Sequence, residues 1–172
     1  MINGFHLRPV TEADAAAMLD TLMEGFESYR EWAGPSYDPP PRFAEANRML
    51  EGIRRPSFWG VIAFADGAIA GHVTFTQARA YEPPRAEVPG IAHLGQLFIR
   101  RPWWGSGLAT RLNRLAVEEA ARRGYERIRL RTPAGQDRAR AFYEREGWST
   151  DGERTYEPLL GIDLVEYRLD LR

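Results

Sequence analysis

Hydrophobic positions along the chain recur with two different periods, and their alternation predicts strands interleaved with helices. Apolar residues that alternate with polar ones, or form short apolar runs, predict strands at residues 5–10, 58–64, 69–76, 91–99, 127–131, 148–156 and 163–171. Apolar residues spaced three and four apart predict helices from about Thr11 to Phe26 and at 42–54, 107–123 and 136–145. The predicted order of elements is therefore βααβββαβαββ.

Capping and turn signals separate these elements. Thr11 supplies an N-cap for the first helix, Asp66-Gly67 is typical of a tight hairpin turn, and Gly124 and Gly147 follow helices as C-caps. Prolines predict a loop at 33–41, and a Pro-rich segment from Tyr81 to Gly90 leads to the next strand. Because no repeat, linker or low-complexity tract interrupts the pattern, we expect a single domain over residues 1–172.

Composition narrows the range of functions. The 172 residues carry 23 basic and 24 acidic side chains, a net charge of −1, which gives no electrostatic basis for nucleic acid or an anionic membrane as partner. The absence of cysteine excludes disulfides, thiolate metal sites and a cysteine nucleophile. No charged and apolar leader begins at Met1, and no apolar span reaches about 18 residues, so we expect a cytoplasmic location.

A glycine turn between a strand and a helix is the strongest chemical signal. The apolar run Leu97-Phe98-Ile99 leads to Gly105 and Gly107, and a helical stripe follows at once. The first amides of a helix have no partner within it and attract anions, so a phosphate or pyrophosphate fits this turn. No lysine follows Gly107 as in a nucleotide P-loop, and the third glycine of a dinucleotide fingerprint is missing. A turn that only serves packing remains an alternative.

A second segment lies about thirty residues further on. It reads as a short helix that ends at Gly147, with Trp148 opening a strand.

Together these two segments resemble the GNAT superfamily of N-acetyltransferases. Its first motif, Gln/Arg-x-x-Gly-x-Gly/Ala, matches residues 104–109, with Trp104 at the position where the family prefers Gln or Arg. Its second motif, Asn-x-x-Ala-x-x-Phe-Tyr-x-x-x-Gly-Phe, matches here as Gln136, Ala139, Phe142, Tyr143, Gly147 and Trp148. The close resemblance covers residues 91–150, and the rest of the chain agrees in the order of its elements.

The resemblance implies an α+β fold in which about four helices flank a twisted, mostly antiparallel sheet of about seven strands. It also implies transfer of an acetyl group from acetyl-CoA to a primary amine of a small molecule or peptide, by direct attack in a ternary complex. The alternative is a non-catalytic acyl-CoA-binding domain with a regulatory or interaction role. A homodimer through the closing strands 148–171 is possible.

The resemblance further assigns site residues. Backbone amides of the glycine turn would hold the pyrophosphate, and backbone groups of Leu97 and Ile99 would pair with the pantetheine arm. The full cofactor set is Leu97, Phe98, Ile99, Trp104, Gly105, Ser106, Gly107, Leu108, Ala109, Gln136, Ala139 and Phe142. Tyr143 stands at the position of the general acid toward sulfur, and its alternative role is packing.

His93 is the candidate general base, because imidazole accepts a proton near neutral pH. The alternative is an ordinary buried histidine, with water removing the proton. Gln96 could instead position a substrate or water molecule. His6 and His72 lie in other predicted strands without metal-ligand spacing, so we expect no metal.

The acceptor pocket of such a fold would draw on the first two helices, their loop and the region near residue 80. The aromatic candidates there are Tyr29, Trp32, Tyr37 and Tyr81, accompanied by Glu24, Glu27, Glu31 and Asp38. An acidic, aromatic pocket would suit a cationic amine. It is equally consistent that the aromatics belong to the core and the acids to a solvated helix face.

Overall fold

A computed structural model describes residues 4–171. The expected absence of a leader concerns Met1–Asn3, which lie outside the described residues. The elements are β1 (His6–Pro9), α1 (Ala15–Ser28), α2 (Arg42–Ile53), β2 (Trp59–Ala65), β3 (Ala68–Arg79), β4 (Glu87–Ile99), α3 (Leu108–Arg122), β5 (Arg127–Pro133), α4 (Asp137–Arg145), β6 (Arg154–Glu157) and β7 (Ile162–Asp170). Single 3₁₀ turns lie at 12–14, 29–31 and 101–103. Within the described part of the chain, no helix is long and apolar enough to cross a membrane.

All the strands join one sheet in the order β1-β2-β3-β4-β5-β7-β6. Neighbours run antiparallel except β4 and β5, which run parallel. The parallel pair is joined through α3, as a crossover connection requires. The predicted α+β fold, with seven strands and four helices, is confirmed.

Side chains alternate between the two faces of the sheet, and each face has its own core. On one face, α1 and α2 bury Met18, Leu22 and Met49 over Ile62 of β2. On the other face, α3 buries an apolar stripe against β3, β4 and β5; the stripe consists of Leu108, Leu112, Ala116 and Ala120. The helical spacing in the sequence is therefore the spacing that these two cores require.

Two strand boundaries differ from the predicted ones. Strand β4 begins at Glu87, earlier than the predicted start at residue 91, because Glu87 pairs with Arg79 of β3. The segment 148–156 forms only a bridge at Ser149 before β6 begins at Arg154. There the side chains of Thr150 and Asp151 accept hydrogen bonds from amides two residues on, which replaces strand pairing by a turn.

One close approach fixes α1 over β4. A Cβ atom added at Gly25 would lie 2.3 Å from the Phe98 ring, well inside van der Waals contact. The Phe98 ring in turn packs edge-on against Phe26, with ring centroids 5.9 Å apart. The absence of a side chain at Gly25 therefore lets α1 rest directly on β4.

Two helix glycines give a matched test of this packing. Gly25→Ala is expected to lower the free energy of unfolding by about 1–3 kcal/mol, because the new methyl group overpacks the contact with Phe98. Gly52→Ala in α2 meets no atom within 4 Å and is expected to raise it by roughly 0.5–1 kcal/mol. Urea denaturation of both variants measures the two values. Equal effects of the same sign would contradict the proposed contact.

Candidate active site

The parallel strands β4 and β5 stay together over only three residue pairs, from Ile91↔Arg127 to His93↔Arg129. Beyond His93, β4 continues to Ile99 beside β3, while β5 continues to Pro133 beside β7. The two strands therefore part inside the sheet and leave a wedge-shaped opening, here called the β4–β5 wedge, between residues 94–99 and 130–133.

A β-bulge lies where the wedge opens. Phe75 of β3 pairs with Leu94, whereas the adjacent Thr74 pairs with Gln96, so Gly95 is an additional residue in β4. A bulge bends its strand and increases the local twist, which carries β4 away from β5.

Backbone groups of β4 point into the wedge at alternate residues. The Arg100 amide donates to the Ala70 carbonyl at 2.8 Å, which marks the side that faces β3. By alternation, Phe98 also faces β3, and the amides and carbonyls of Leu97 and Ile99 face the wedge. The Ile99 carbonyl accepts a hydrogen bond from the Trp104 indole at 2.7 Å. Both backbone groups of Leu97 remain open to a ligand.

Phe98 is separated from this row. Its backbone lies opposite His72 in the β3–β4 ladder, and its ring packs on Gly25 of α1. Of the three residues that the resemblance grouped together, Leu97 and Ile99 present backbone groups to the wedge, and Phe98 builds the wall behind it.

The glycine turn forms a row of free amides at the end of the wedge. Gly105 and Gly107 have φ of 79° and 84°, the left-handed region that glycine adopts without strain. Within residues 4–171, the amides of Gly105, Gly107, Ala109 and Thr110 donate to no acceptor. These four amides, here called the cradle, point to an anion.

Ser106 and Leu108 complete the turn internally. The Ser106 hydroxyl donates to the Trp103 carbonyl at 2.7 Å and accepts from the Leu108 amide at 3.3 Å. Both groups therefore shape the cradle rather than remain open to a ligand.

Trp104 holds two arginine side chains beside the glycine turn. Its ring lies between two guanidinium groups, with the Cζ atoms of Arg101 and Arg138 at 4.5 and 4.3 Å from the ring centroid. Arg138 belongs to α4, so the stack also joins the two sequence motifs in space. Neither arginine could be identified from local patterns, because the stack depends on the orientation of α4 relative to the glycine turn.

The helix of the second motif places Tyr143 in the core behind the wedge. Its ring packs against Trp148 and Tyr167, and burial raises the pKa of its phenol. No hydrogen bond to its hydroxyl is made by any residue between 4 and 171. Burial also raises the pKa of Tyr29, and electrostatic interaction with Tyr143 contributes to that shift. Tyr143 is thus a protonated phenol whose hydroxyl has no structural partner.

Other residues of the second motif support this helix. The Gln136 carbonyl accepts from the Arg140 amide at 3.1 Å, which begins α4. Ala139 and Phe142 are partly buried against the α3-side core. The described contacts of these three residues are therefore structural.

His93 lies on the α1–α2 face and is the last residue of β4 that pairs with β5. Its Nδ1 atom is buried and has no hydrogen-bond partner in the described chain. Burial, and then the positive charge of Arg129, lower the pKa of His93 to about 4. The imidazole is consequently neutral at physiological pH and a weak proton acceptor; its role as the base remains a prediction.

His72, which is buried, and Gln96, which is half-buried, form a pair beside His93 on the same face. His72 Nε2 lies 2.7 Å from Gln96 Oε1, and burial lowers the pKa of His72 to about 4. The pair fixes the Gln96 carboxamide at the bulge. Among residues 4–171, no group of His, Asp and Glu side chains has the arrangement of a metal site.

The four aromatic residues expected to bind the acceptor do not form one pocket. Tyr29 and Tyr37 are buried in the α1–α2 core. Trp32 packs on Tyr29, with ring centroids 4.9 Å apart, and also reaches the segment before α4, where a Cβ atom at Gly135 would lie 3.2 Å from its ring. Tyr81 lies elsewhere; its hydroxyl donates to Glu166 at 2.6 Å.

The four acidic residues expected beside those aromatics are paired with arginines. Arg100 contacts Glu24 at 2.8 Å, and Arg101 pairs with Glu31. Arg30 pairs with both remaining carboxylates, Glu27 at 2.6 Å and Asp38 at 3.4 Å. This region therefore offers little free negative charge to a cationic amine, and the alternative of core aromatics with a solvated acidic face describes most of it better.

The model of the Acetyltransferase (GNAT) family matches residues 19–148. No curated protein sequence matches the chain.

Solved structures share the whole fold at low identity. Ribosomal-protein-alanine N-acetyltransferase from Brucella melitensis is 19% identical with a TM-score of 0.72, and 96% of this chain covers 99% of that one. PaiA N-acetyltransferase from Thermoplasma acidophilum, in complex with coenzyme A, is 15% identical with a TM-score of 0.70 over 96% and 99%. YncA from Salmonella typhimurium, with its cofactor acetyl-CoA, is 16% identical with a TM-score of 0.71 over 98% and 95%. At these identities the likeness shows the fold alone.

The two buried histidines predict how stability changes with pH. In the unfolded chain each binds a proton below its ordinary pKa of 6.5, whereas the folded chain resists protonation down to about 4. Their contribution to stability is therefore complete above pH 6.5 and is lost as the pH falls from 6.5 toward 4. Urea denaturation of wild type and His93→Gln at pH 7.5, 6, 5 and 4.5 measures it, and the variant is expected to show the smaller loss.

For each protein, the loss of stability is measured from its own free energy of unfolding at pH 7.5, where residue 93 is neutral in both the folded and the unfolded chain. A His93→Gln variant that loses stability as steeply as wild type would show that the folded state protonates His93 normally.

Proposed function

The chain belongs to the acetyltransferase (GNAT) family, and we propose that it transfers an acetyl group from acetyl-CoA to a primary amine of a small molecule or peptide. The single observation that carries this proposal is the continuity of the β4–β5 wedge with the cradle. A strand edge with open amides and carbonyls leads directly to a row of amides suited to phosphate.

The residues present fit coenzyme A. The cradle supplies four free amides, and Arg101 and Arg138 add positive charge beside it, as a pyrophosphate requires. Leu97 supplies an amide and a carbonyl that would pair with the amide groups of the pantetheine arm. When bound, acetyl-CoA provides the acetyl group activated as a thioester. The stack on Trp104 would therefore support phosphate binding, although Trp104 replaces the Gln or Arg of the motif.

The reaction requires one bond to form and one to break. The amine nitrogen bonds to the acetyl carbonyl carbon while the bond from that carbon to sulfur breaks. The nitrogen loses one proton and the sulfur gains one, so no oxidant, metal or covalent enzyme intermediate is needed. A backbone amide of β4 next to the bulge would polarise the thioester carbonyl.

Tyr143 is the proposed proton donor to sulfur. Its burial keeps the phenol protonated at neutral pH, and its hydroxyl is free of structural hydrogen bonds in the described chain. A donor that is protonated and uncommitted is what a departing thiolate needs.

His93 or a water molecule takes the proton from the amine. Because the pKa of His93 is lowered to about 4, His93 would be deprotonated throughout the neutral range, so a flat pH–rate profile between pH 6 and 8 is expected with either base. Activity of the His93→Gln variant does distinguish the two. A loss of turnover at unchanged affinity for acetyl-CoA would favour His93, and full turnover would favour water.

Tyr143→Phe tests the donor. We expect kcat to fall about 10²–10⁴-fold, the usual contribution of a general acid, while the Kd for acetyl-CoA stays within about threefold. Thiol release measures the first and calorimetry the second. Tyr156→Phe removes a phenol that is 62% exposed on β6 and serves as the control with wild-type rates. Unchanged turnover in Tyr143→Phe would remove Tyr143 from the mechanism.

Gly107→Ala tests the cradle. A β-carbon at φ of 84° strains the turn and displaces the amides, so we expect the Kd for acetyl-CoA to rise at least about tenfold, or 1.4 kcal/mol. Gly152→Ala, at φ of 79° in the loop before β6, carries the same backbone strain away from the cradle. Calorimetry that finds equal affinity in both variants would contradict a phosphate site at Gly107.

A further inference from the structure

A cleft of about 160 Å³ opens on the α1–α2 face, between α2 and the strands β3 and β4. Its lining includes the apolar side chains Met18, Met49, Ile53 and Phe58. Polar groups of Thr74, Thr76, His93 and Gln96 line it from the sheet. The cleft therefore has an apolar part and a polar wall.

The cleft reaches the place where acetyl transfer would occur. Gly95, the bulged residue at the opening of the β4–β5 wedge, lies in its lining together with His93 and Gln96. The buried Nδ1 of His93 has no hydrogen-bond partner within residues 4–171. A ligand in this cleft would thus have its reactive end beside the bulge and near a buried, uncommitted nitrogen.

The charged side chains that line the cleft are basic. Two guanidinium groups, those of Arg48 and Arg55, line the cleft, and no Asp or Glu is among its described lining residues. Arg55 is committed to the fold, because it donates to the Thr76 hydroxyl at 2.8 Å and to the Gln77 carbonyl at 2.9 Å. It also contacts the Glu87 carboxylate at 3.3 Å.

Arg48 lines the cleft and has hydrogen-bond donors that the described chain leaves unused. Its side chain is 43% exposed, and its one described ion pair runs from Nη1 to Glu45, a residue behind it that is only 8% exposed. Burial raises the pKa of Glu45. The remaining donors of the Arg48 guanidinium, Nε and Nη2, make no bond within the described chain, and an arginine with two open donors matches a carboxylate.

We propose that the acceptor is an amino acid: an amine with a carboxylate close by and an apolar side chain. The carboxylate would bind Arg48, the side chain would occupy the apolar part formed by Met18, Met49 and Ile53, and the amino group would point to Gly95 and His93. A volume of about 160 Å³ suits a molecule of this size. This inference rests on the proposed acetyl transfer, in which the amino nitrogen gains the acetyl carbon, the sulfur gains the electrons of the broken bond, and one proton passes from nitrogen to sulfur.

The same lining disfavours a polyamine or an aminoglycoside. Arg48 and Arg55 are the charged residues of the lining, their partners Glu45 and Glu87 lie outside it, and the cleft therefore offers a polycation no carboxylate. The acidic residues that suggested a cationic amine in the sequence are already paired with arginines on another part of the α1–α2 face.

The experiment compares acceptors that differ only in the carboxylate. Thiol release from acetyl-CoA is measured with L-leucine, L-methionine, L-phenylalanine and L-glutamate, each beside its α-amide, and with spermidine. We expect at least one apolar amino acid to have a kcat/KM at least about tenfold above that of its amide, equivalent to 1.4 kcal/mol. Spermidine is expected to be the poorer substrate.

Arg48→Gln and Arg42→Gln then assign the preference to one side chain. Arg48→Gln is expected to raise KM for the preferred acid about 10–100-fold, the effect of losing charge-assisted hydrogen bonds, and to leave KM for its amide unchanged. Arg42 also lies on α2, pairs with Asp20 and does not line the cleft, so Arg42→Gln should leave both values unchanged.

The outcomes separate this inference from the proposed function. Amides or spermidine turned over as well as every acid, or an acid preference that survives Arg48→Gln, would overturn the amino acid acceptor and leave acetyl transfer standing. No thiol release with any amine, together with acetyl-CoA binding by calorimetry, would overturn acetyl transfer and this inference with it.

Discussion

The separation of β4 from β5 is the constraint on which the site depends. Backbone amides and carbonyls inside a sheet need partners, yet pairing between these strands stops at His93↔Arg129. The extra residue Gly95 turns β4 away, and α1 supports the displaced strand through the contact of Gly25 with Phe98. The polar edge that results is open at Leu97 and leads to the cradle, so strand geometry alone creates a site for an extended ligand that ends in phosphate.

Arginine organises the charge around this site. All 23 basic residues are arginine, and most of the described acids near α1 are neutralised by an arginine partner. Because a guanidinium can stack and form ion pairs together, Arg101 pairs with Glu31 while it lies on Trp104. Trp104 thereby binds positively charged side chains at a position where the motif usually places a polar residue. Arg48 lines a cleft, and the Nε and Nη2 donors of its guanidinium make no bond within the described chain.

Much of the fold was predictable from local patterns. The periods of the apolar residues gave the order of strands and helices, and the Asp66-Gly67 hairpin is confirmed, with both residues at positive φ. The glycine turn and the second motif indicated the family, because they depend on short, contiguous sequence. Positions set by contacts between different elements were not predictable: the bulge at Gly95, the Arg101–Trp104–Arg138 stack and the cleft beside Arg48 each depend on how separate segments meet. For the same reason Tyr81, which seemed equivalent to Tyr29 and Tyr37 by composition, lies apart from the core that those two share.

Amide hydrogen exchange with and without coenzyme A would show whether the β4–β5 wedge and the cradle form one binding site, because it reports on both residue by residue. We expect coenzyme A to protect the amides of Leu97, Gly105 and Gly107, which have no partner in the described chain, and to leave that of Phe98, already in the β3–β4 ladder, unchanged. Protection elsewhere on the protein, with these three amides still exchanging freely, would contradict it.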